Sequence, residues 1–445
     1  MHFRRKGSRS FADIVSVCVV CALATGLPAA PGAAQTMQDE LQVLLNTNPR
    51  LQSASKTVDA TKEGVREARS GYFPTVSVSG DVGPQWVDSP TRRASQADPF
   101  TGSRKSSTLT ITENLFSGYR TDGQTRIARL REDVASLNLD ITRQTLLYNG
   151  VRAYLEVLKQ SELLKIARAN ERTLKTEFDA ETARLQQGSG LAVDVLQAQS
   201  RLELAREQAV TILGDLRTAL SSYIELFGHP AVPTKMALPP LPSAALPETQ
   251  EAAISIAGGE NSALIRSKTQ IDIADEQRTV ARSTYWPKVD LVGEGSWEND
   301  VDGVDGVRRE GKLILRASWD IFDGFLTEAK SGRAAAEYGA ALDTRNSVDR
   351  DVRNRVRSAW HQYRTTADQM KLLKRAVDIA AQVFEARKKL RQRGRETVTN
   401  VLDAENELNN TRLRYSQAVY DNALAAFRLL LQIGRLTPET LELKG

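Results

Sequence analysis

Side chains that commonly make or break bonds are scarce in this sequence. Of 445 residues, three are histidine and two are cysteine. His2 lies near the start, His229 stands beside Pro230 and His361 falls inside a long helical pattern, so they give no metal-ligand spacing. Cys18 and Cys21 both fall in the first 34 residues. The phosphate-binding G-x-x-x-x-G-K-[ST], the dinucleotide G-x-G-x-x-G and the nucleophile turn G-x-S-x-G do not occur. No enzyme activity, cofactor or metal site is expected. The sequence instead concentrates charge at two glycine turns. Glu177, Asp179 and Glu181 approach Gln187-Gly188-Ser189-Gly190, whereas Arg387, Lys388, Lys389, Arg391, Arg393 and Arg395 approach and flank Gly394. Acidic and basic helix ends set side by side form ion pairs, which make and release contacts rather than covalent bonds. Each exposed pair contributes only about 0–1 kcal/mol, but several together can bias a two-state contact. A solvated charged face is the plainer reading of the same residues.

Those turns belong to an internal repeat. Asn48 to Gly80 aligns with Asn261 to Gly293 at an offset of 213, including Ala68-Arg69-Ser70-Gly71-Tyr72-Phe73-Pro74 against Ala281-Arg282-Ser283-Thr284-Tyr285-Trp286-Pro287. From Leu115-Phe116-Ser117-Gly118, matched by Ile321-Phe322-Asp323-Gly324, the offset is 206 and holds to Gly228 and Gly434. The difference of seven places a loop of unequal length between about 80 and 115. Each copy begins with a helix, about 50–71 and 263–284, that stops before a proline. Alternating apolar and polar residues follow, with Val76 and Val78 then Leu109 and Ile111 in copy one. Copy two has Val289 and Leu291, then Leu313, Leu315, Ala317, Trp319 and Ile321. Period-two runs separated by turn residues read as β-hairpins, about 74–116 and 287–322. Trp86, Trp297 and Trp319 suit either an interfacial aromatic girdle or a core.

After each hairpin proline disappears, between Pro99 and Pro230 and between Pro287 and Pro438. Helix formers fill both windows. They read as helical hairpins, about 119–227 and 325–433, whose first arms would each be about 100 Å long. Val195, Ala198, Leu202, Ala205, Ala209, Ile212, Leu216, Ala219, Tyr223 and Leu226 step by threes and fours. So do Val356, Ala359, Tyr363, Thr366, Met370, Leu373, Val377, Ala380 and Phe384. This is coiled-coil seam spacing. A second stripe through Leu130, Val134, Leu137 and Ile141, continued by Val151, Leu155 and Leu158, implies neighbours on more than one side. Between the copies, residues 229–253 are proline-rich and read as an extended connector.

The first 34 residues carry Arg4, Arg5, Lys6 and Arg9, an apolar run from Ile14 to Leu27, and small residues ending Gly32-Ala33-Ala34: the pattern of a cleaved secretory signal. Its four bases and Asp13 account for +3 of the net charge of +5, leaving about +2 and no reason to invoke nucleic acid. No later segment reaches the length of a transmembrane helix, so a membrane span would have to be a β-barrel. Four strands per chain cannot close one; three chains would bring about twelve strands and twelve long helices to one tube.

In this arrangement the sequence resembles the TolC family of outer-membrane efflux and type I secretion channels. The resemblance rests on the duplication, on the Tyr-Phe-Pro and Tyr-Trp-Pro turns, and on the tip segments Gly188–Gln199 and Gly394–Glu405, and covers nearly the whole chain after residue 34. It implies a mainly α fold with a membrane β-barrel: a homotrimer whose twelve-stranded barrel continues into a periplasmic α-barrel. It also implies a passive duct of the outer membrane, in contact with outer-membrane lipid, fed through a periplasmic adaptor by an inner-membrane ABC or RND transporter. At the positions where the family closes its aperture stand Asp194, Asn400 and Asp403; Asn400 departs from the family's common Asp. Asp194 and Asn400 also suit helix capping. Arg391, Arg393 and Arg395 join this aperture set through the charge contrast. The turns expected to meet the adaptor are Gly188, Ser189, Gly190 and Leu191, with Gly394, Thr397 and Val398. The competing class is a secreted coiled-coil stalk or adhesin-like protein, which leaves the paired hairpins unexplained.

Overall fold

The structure, a computed structural model, describes residues 35–95 and 97–443. The expected signal segment, with His2, Cys18 and Cys21, lies outside the described residues. Copy one opens with α1 (Met37–Thr47), capped by Thr36 Oγ1, which accepts the Asp39 N–H at 3.1 Å. Asn48 then caps α2 (Pro49–Ser70). Strands β1 (Thr75–Val87) and β2 (Phe100–Phe116) follow, joined through the short α3 (Pro90–Ala94). The arms of the first helical hairpin are α4 (Arg120–Gln186) and α5 (Ala192–Phe227).

Copy two repeats the order. It has α6 (Gln250–Glu260), capped by Thr249, and α7 (Ser262–Arg282), capped by Asn261. Then come β3 (Lys288–Asn299), β4 (Val307–Ser318), α8 (Leu326–Gln392) and α9 (Val398–Ile433). Both α4 and α8 are 67 residues long, about 100 Å each. Among the described residues no helix is long and apolar enough to cross a membrane.

Three local features differ from what the sequence suggests. The expected first helices are α2 and α7, and each is preceded by a further short helix, α1 or α6, which ends at the residue just before the cap Asn48 or Asn261. The connector is not extended throughout: it holds 3-10 turns at Pro233–Lys235 and Ser243–Ala245, and α6 begins inside it at Gln250. The second strand of copy two stops at Ser318, so Trp319 and Ile321 lie beyond the sheet.

The strands form one antiparallel sheet in the order β1-β2-β3-β4. Register fixes its two faces. Val76, Ile111, Gly293 and Leu313 share one row, and Val78, Leu109 and Gly295 the next, on the apolar face. Ser77, Thr110, Glu294 and Lys312 share a row on the other face. An apolar outside and a polar inside is the pattern of a membrane barrel wall. Trp86, Trp297 and Trp319 are all exposed, so none is a core residue of this chain.

The main core lies halfway along α4 and α8, where α5 and α9 end. Tyr154, Tyr223, Phe427, Leu430 and Ile433 are fully buried there against Leu41 and Leu44 of α1. Tyr154 pins the connector: its hydroxyl lies 2.9 Å from the Gln35 carbonyl and 3.0 Å from that of Ala237, and accepts the Ala237 N–H. Nearer the tip the buried clusters shrink to a few residues, such as Leu174, Leu202, Ala205, Val398 and Leu402.

Sheet and helices join through a left-handed turn. Gly118 (φ +64°) and Tyr119 (φ 66°) are both left-handed, and a Cβ on Gly118 would collide with the Ser283 carbonyl of copy two. Gly118→Ala is therefore expected to destabilise the junction by about 1–3 kcal/mol or more. The check is a loss of folded yield and a lower melting temperature in detergent by circular dichroism.

Candidate functional site

The two tip turns are built alike. At the end of α4, Gly188 (φ +72°) donates to the Leu185 carbonyl and Ser189 to that of Arg184. At the end of α8, Gly394 (φ +69°) donates to Arg391 and Arg395 to Leu390. These paired bonds terminate a helix at a left-handed glycine. The second arms start differently. Thr397 caps α9, accepting the Asn400 N–H at 3.3 Å, whereas Leu191 precedes α5 with no side-chain cap. Neither Asp194 nor Asn400 is itself the capping residue, since each sits three positions inside its helix.

Around these turns the copies touch through charge. Glu181, on α4 and almost wholly buried, accepts from Arg184 at 2.5 Å and from Arg391 of α8 at 3.3 Å. Asp403 on α9 pairs with Arg201 on α5 at 2.8 Å. Beside it Thr399 donates to the Gln197 side chain at 2.8 Å. Asn400 turns to its own strand of chain, donating from Nδ2 to Glu396 at 2.5 Å. That bond, with the Thr397 N–H, holds the Glu396 carboxyl below its ordinary range. Arg393 and Arg395 are exposed and form no ion pair among the described residues. Asp194 is half-buried in the first turn of α5. The structure therefore brings Arg391 and Asp403 into contacts between copies and leaves Arg393 and Arg395 free of them.

Of the expected adaptor contacts, Gly188, Ser189, Gly190 and Gly394 are exposed or half-exposed at the turns, and Leu191 is well exposed. A Cβ on Gly190 would press on the Leu185 backbone, so this glycine serves the turn itself. Thr397 is engaged in its cap, and Val398 is buried against Leu174 and Leu202. Val398 is thus a packing residue in this chain, because the α9 end is covered by α4 and α5 while the α5 end is open.

Sequence reasoning overlooked Glu405. It is buried on α9, and its Oε2 has no hydrogen-bond partner. Burial, with Glu177 nearby and only Lys388 opposing, pushes its carboxyl up to about 7. The steps Val398, Leu402, Glu405 and Asn409, all buried, would have placed it in the seam. Arg201 and Glu396 were also missed; nothing in their spacing distinguishes them from other exposed charges.

An apolar-outside sheet continued by two helical hairpins, joined to each other at the far end by polar contacts, defines a subunit of a membrane channel. The family model described as outer membrane efflux protein matches residues 41–229 and 253–435. The chain is 23% identical to the outer membrane efflux protein BepC of Brucella suis, over 97% of this chain and 92% of that protein. It is 24% identical to the outer membrane protein TolC of Escherichia coli, over 92% and 84%. It is 24% identical to the alkaline protease secretion protein AprF of Pseudomonas aeruginosa, over 91% and 85%. In fold it is similar to the Campylobacter jejuni CmeC outer membrane channel, with a TM-score of 0.77 at 14% identity over 90% of this chain and 85% of that one. The Vibrio cholerae outer membrane protein VceC gives a TM-score of 0.76 at 14% identity over 89% and 96%. The chain belongs to the outer membrane efflux protein family.

Glu405 yields a pH prediction. Its folded pKa, about 7, lies above the 4.5 of an exposed glutamate, so the folded state holds the proton more tightly. The protonated form is compatible with burial. Stability therefore falls as pH rises from about 4.5 through 7, by at most about 3 kcal/mol. Glu405→Gln is expected to raise the melting temperature at pH 8 and to have no effect at pH 4.5. Equal effects at both values would show that Glu405 does not titrate as described.

Proposed function

We propose that three copies of this chain assemble into a homotrimer: a twelve-stranded barrel through the outer membrane, continuous with a twelve-helix tube in the periplasm. In this reading the tube is a passive duct, joined by a periplasmic adaptor to an inner-membrane ABC or RND transporter that supplies the energy. One observation carries the trimer. The same junction is covered in copy one and open in copy two. Gly118 is buried against Ser283 and Trp286 of copy two, and Arg126 pairs with Glu276 of α7 at 2.7 Å. The matching Gly324 faces open space, and Ile321 and Phe322 are 84% and 74% exposed. Copy two lacks the neighbour that copy one has, and a second chain's first copy would supply it. The edges of the sheet, β1 and β4, are likewise open. Along α8 the residues Leu372, Ile379, Val383 and Leu390 form an exposed stripe at seam spacing.

At the tip, Asp194, Asn400, Asp403, Arg391, Arg393 and Arg395 are the proposed aperture set, with Arg391–Glu181 and Asp403–Arg201 as its latches. The turns at Gly188, Ser189, Gly190, Leu191 and Gly394 are the proposed adaptor face; Thr397, in its cap, and buried Val398 hold the second turn from behind. The names of BepC and AprF speak for efflux and for protease secretion respectively. A duct of this kind serves either cargo.

Ile379→Glu is expected to leave helical content unchanged and to shift the protein from trimer towards monomer in mild detergent, read by light scattering after size exclusion. A variant that stays fully trimeric would remove α8 from the subunit interface.

Arg391→Glu places like charge on buried Glu181. Losing a latch of about 1 kcal/mol per chain would raise the open population roughly fivefold or more. Single-channel recording in a planar bilayer should show larger or more frequent openings. Arg393→Glu, at an aperture arginine with no ion pair among the described residues, tests the rim charge apart from the latch and should change the frequency of opening far less. If Arg391→Glu conducts as the parent does, this contact is not a latch.

A further inference from the structure

The charges on the sheet differ between its faces. On the inward face Arg104 meets Asp81, Arg308 meets Glu310, Lys312 meets Glu294 and Lys288 meets Asp290, at 2.7–2.8 Å, while Arg316, opposite Asp290 in register, forms no ion pair among the described residues. The outward face holds two bases, Lys105 and Arg309. Both are exposed, and neither forms an ion pair among the described residues. Their placement follows from register. Ser107, Trp297 and Arg309 share one row, and Val82, Lys105, Asn299 and Val307 the next row towards the hairpin loops. The outward-facing acid of the strands, Glu113, sits opposite Leu291 at the other, helix-side rim.

A cation facing hydrocarbon is costly at mid-membrane and nearly free at the interface. The climb from Val289 to Trp297 covers about 27 Å of strand, or about 21 Å along the normal for a strand tilted about 40°. That is close to the height of a barrel's apolar band, so Trp297 stands at its outer border and Arg309 beside it. Trimer closure joins strand edges and leaves this face turned to lipid. Two unpaired cations at the head-group level of the outer leaflet call for an anion there, and a guanidinium suits a phosphate in particular.

We propose that Lys105 and Arg309, flanked by Trp297, form an outward-facing site for the phosphates of the glycolipid of the outer leaflet. The site rests on the sheet being a membrane wall. The purified trimer in detergent would be titrated with bisphosphorylated lipid A, dephosphorylated lipid A and phosphatidylglycerol, and bound lipid counted by native mass spectrometry. The parent should bind bisphosphorylated lipid A roughly tenfold more tightly than the dephosphorylated form. The double variant Lys105→Gln, Arg309→Gln should lose that preference and keep its binding of the dephosphorylated form. Arg308→Gln, on the inward face, should keep the preference. A parent with no phosphate preference, a double variant that retains it, or equally tight binding of phosphatidylglycerol would each overturn the site. Bilayer conductance of the same preparation keeps the two questions apart: a conducting parent that ignores lipid phosphate sinks this site and leaves the channel standing.

Discussion

A backbone group in a bilayer has no water to bond, and this sheet has two strands whose outer edges find no partner within the chain. Most of the remaining design follows from that constraint. Four strands of 12–17 residues are long enough to cross but too few to enclose anything. In the proposed trimer the chain is completed by copies of itself, and the sequence duplication makes that completion simple. A surface that copy one offers copy two inside a chain can be offered again by the next chain. The proposed trimer repeats at the open Gly324 junction the contact already made at Gly118.

The duplication also explains why equivalent residues do unequal work. Val398 and Ala192 occupy corresponding tip positions, yet one is buried and the other exposed. Thr397 caps its helix, while the α5 start has no side-chain cap. Copy one approaches the tip with acids and copy two with bases, so contacts between copies attract where contacts between like copies would repel. In the proposed ring these charges favour alternation of copies, with Glu177 and Glu405 as a like-charged exception.

Much of the fold was legible because its signals are long. Sixty-seven residues without proline, with small and apolar side chains every three or four positions, admit few readings besides a long helix with seams. Strand alternation was legible for a similar reason, since one face meets lipid and the other meets water. The short elements were hidden. The α6 helix contains Gly258 and Gly259 and owes its stability to Ala253 and Ala257 packed in the main core, which no local pattern displays. The connector read as a spacer, yet Met236 is buried and Tyr154 clasps Ala237. At the tip, residue types showed that charges would meet, but partner choice depends on a few ångströms. Arg391 finds Glu181 and Arg393 does not.

The distribution of cores indicates where such a tube can move. Near the middle, large side chains such as Tyr154, Tyr223 and Phe427 are packed with no exposed surface, and opening them would cost several kcal/mol. Towards the tip the buried groups are fewer and smaller, and charges enter the seam itself at Glu181 and Glu405. A charged seam is weaker than an apolar one of the same area, because each ion gives up hydration that its partner only partly restores. Regions with few apolar contacts occupy the low end of local stability, and conformational change is drawn from that end. The same chain thus fixes its wall and its middle with apolar packing and leaves its far end to polar contacts of about 1 kcal/mol each. In the proposed assembly, an adaptor whose binding exceeds contacts of that size opens the duct without a separate energy source.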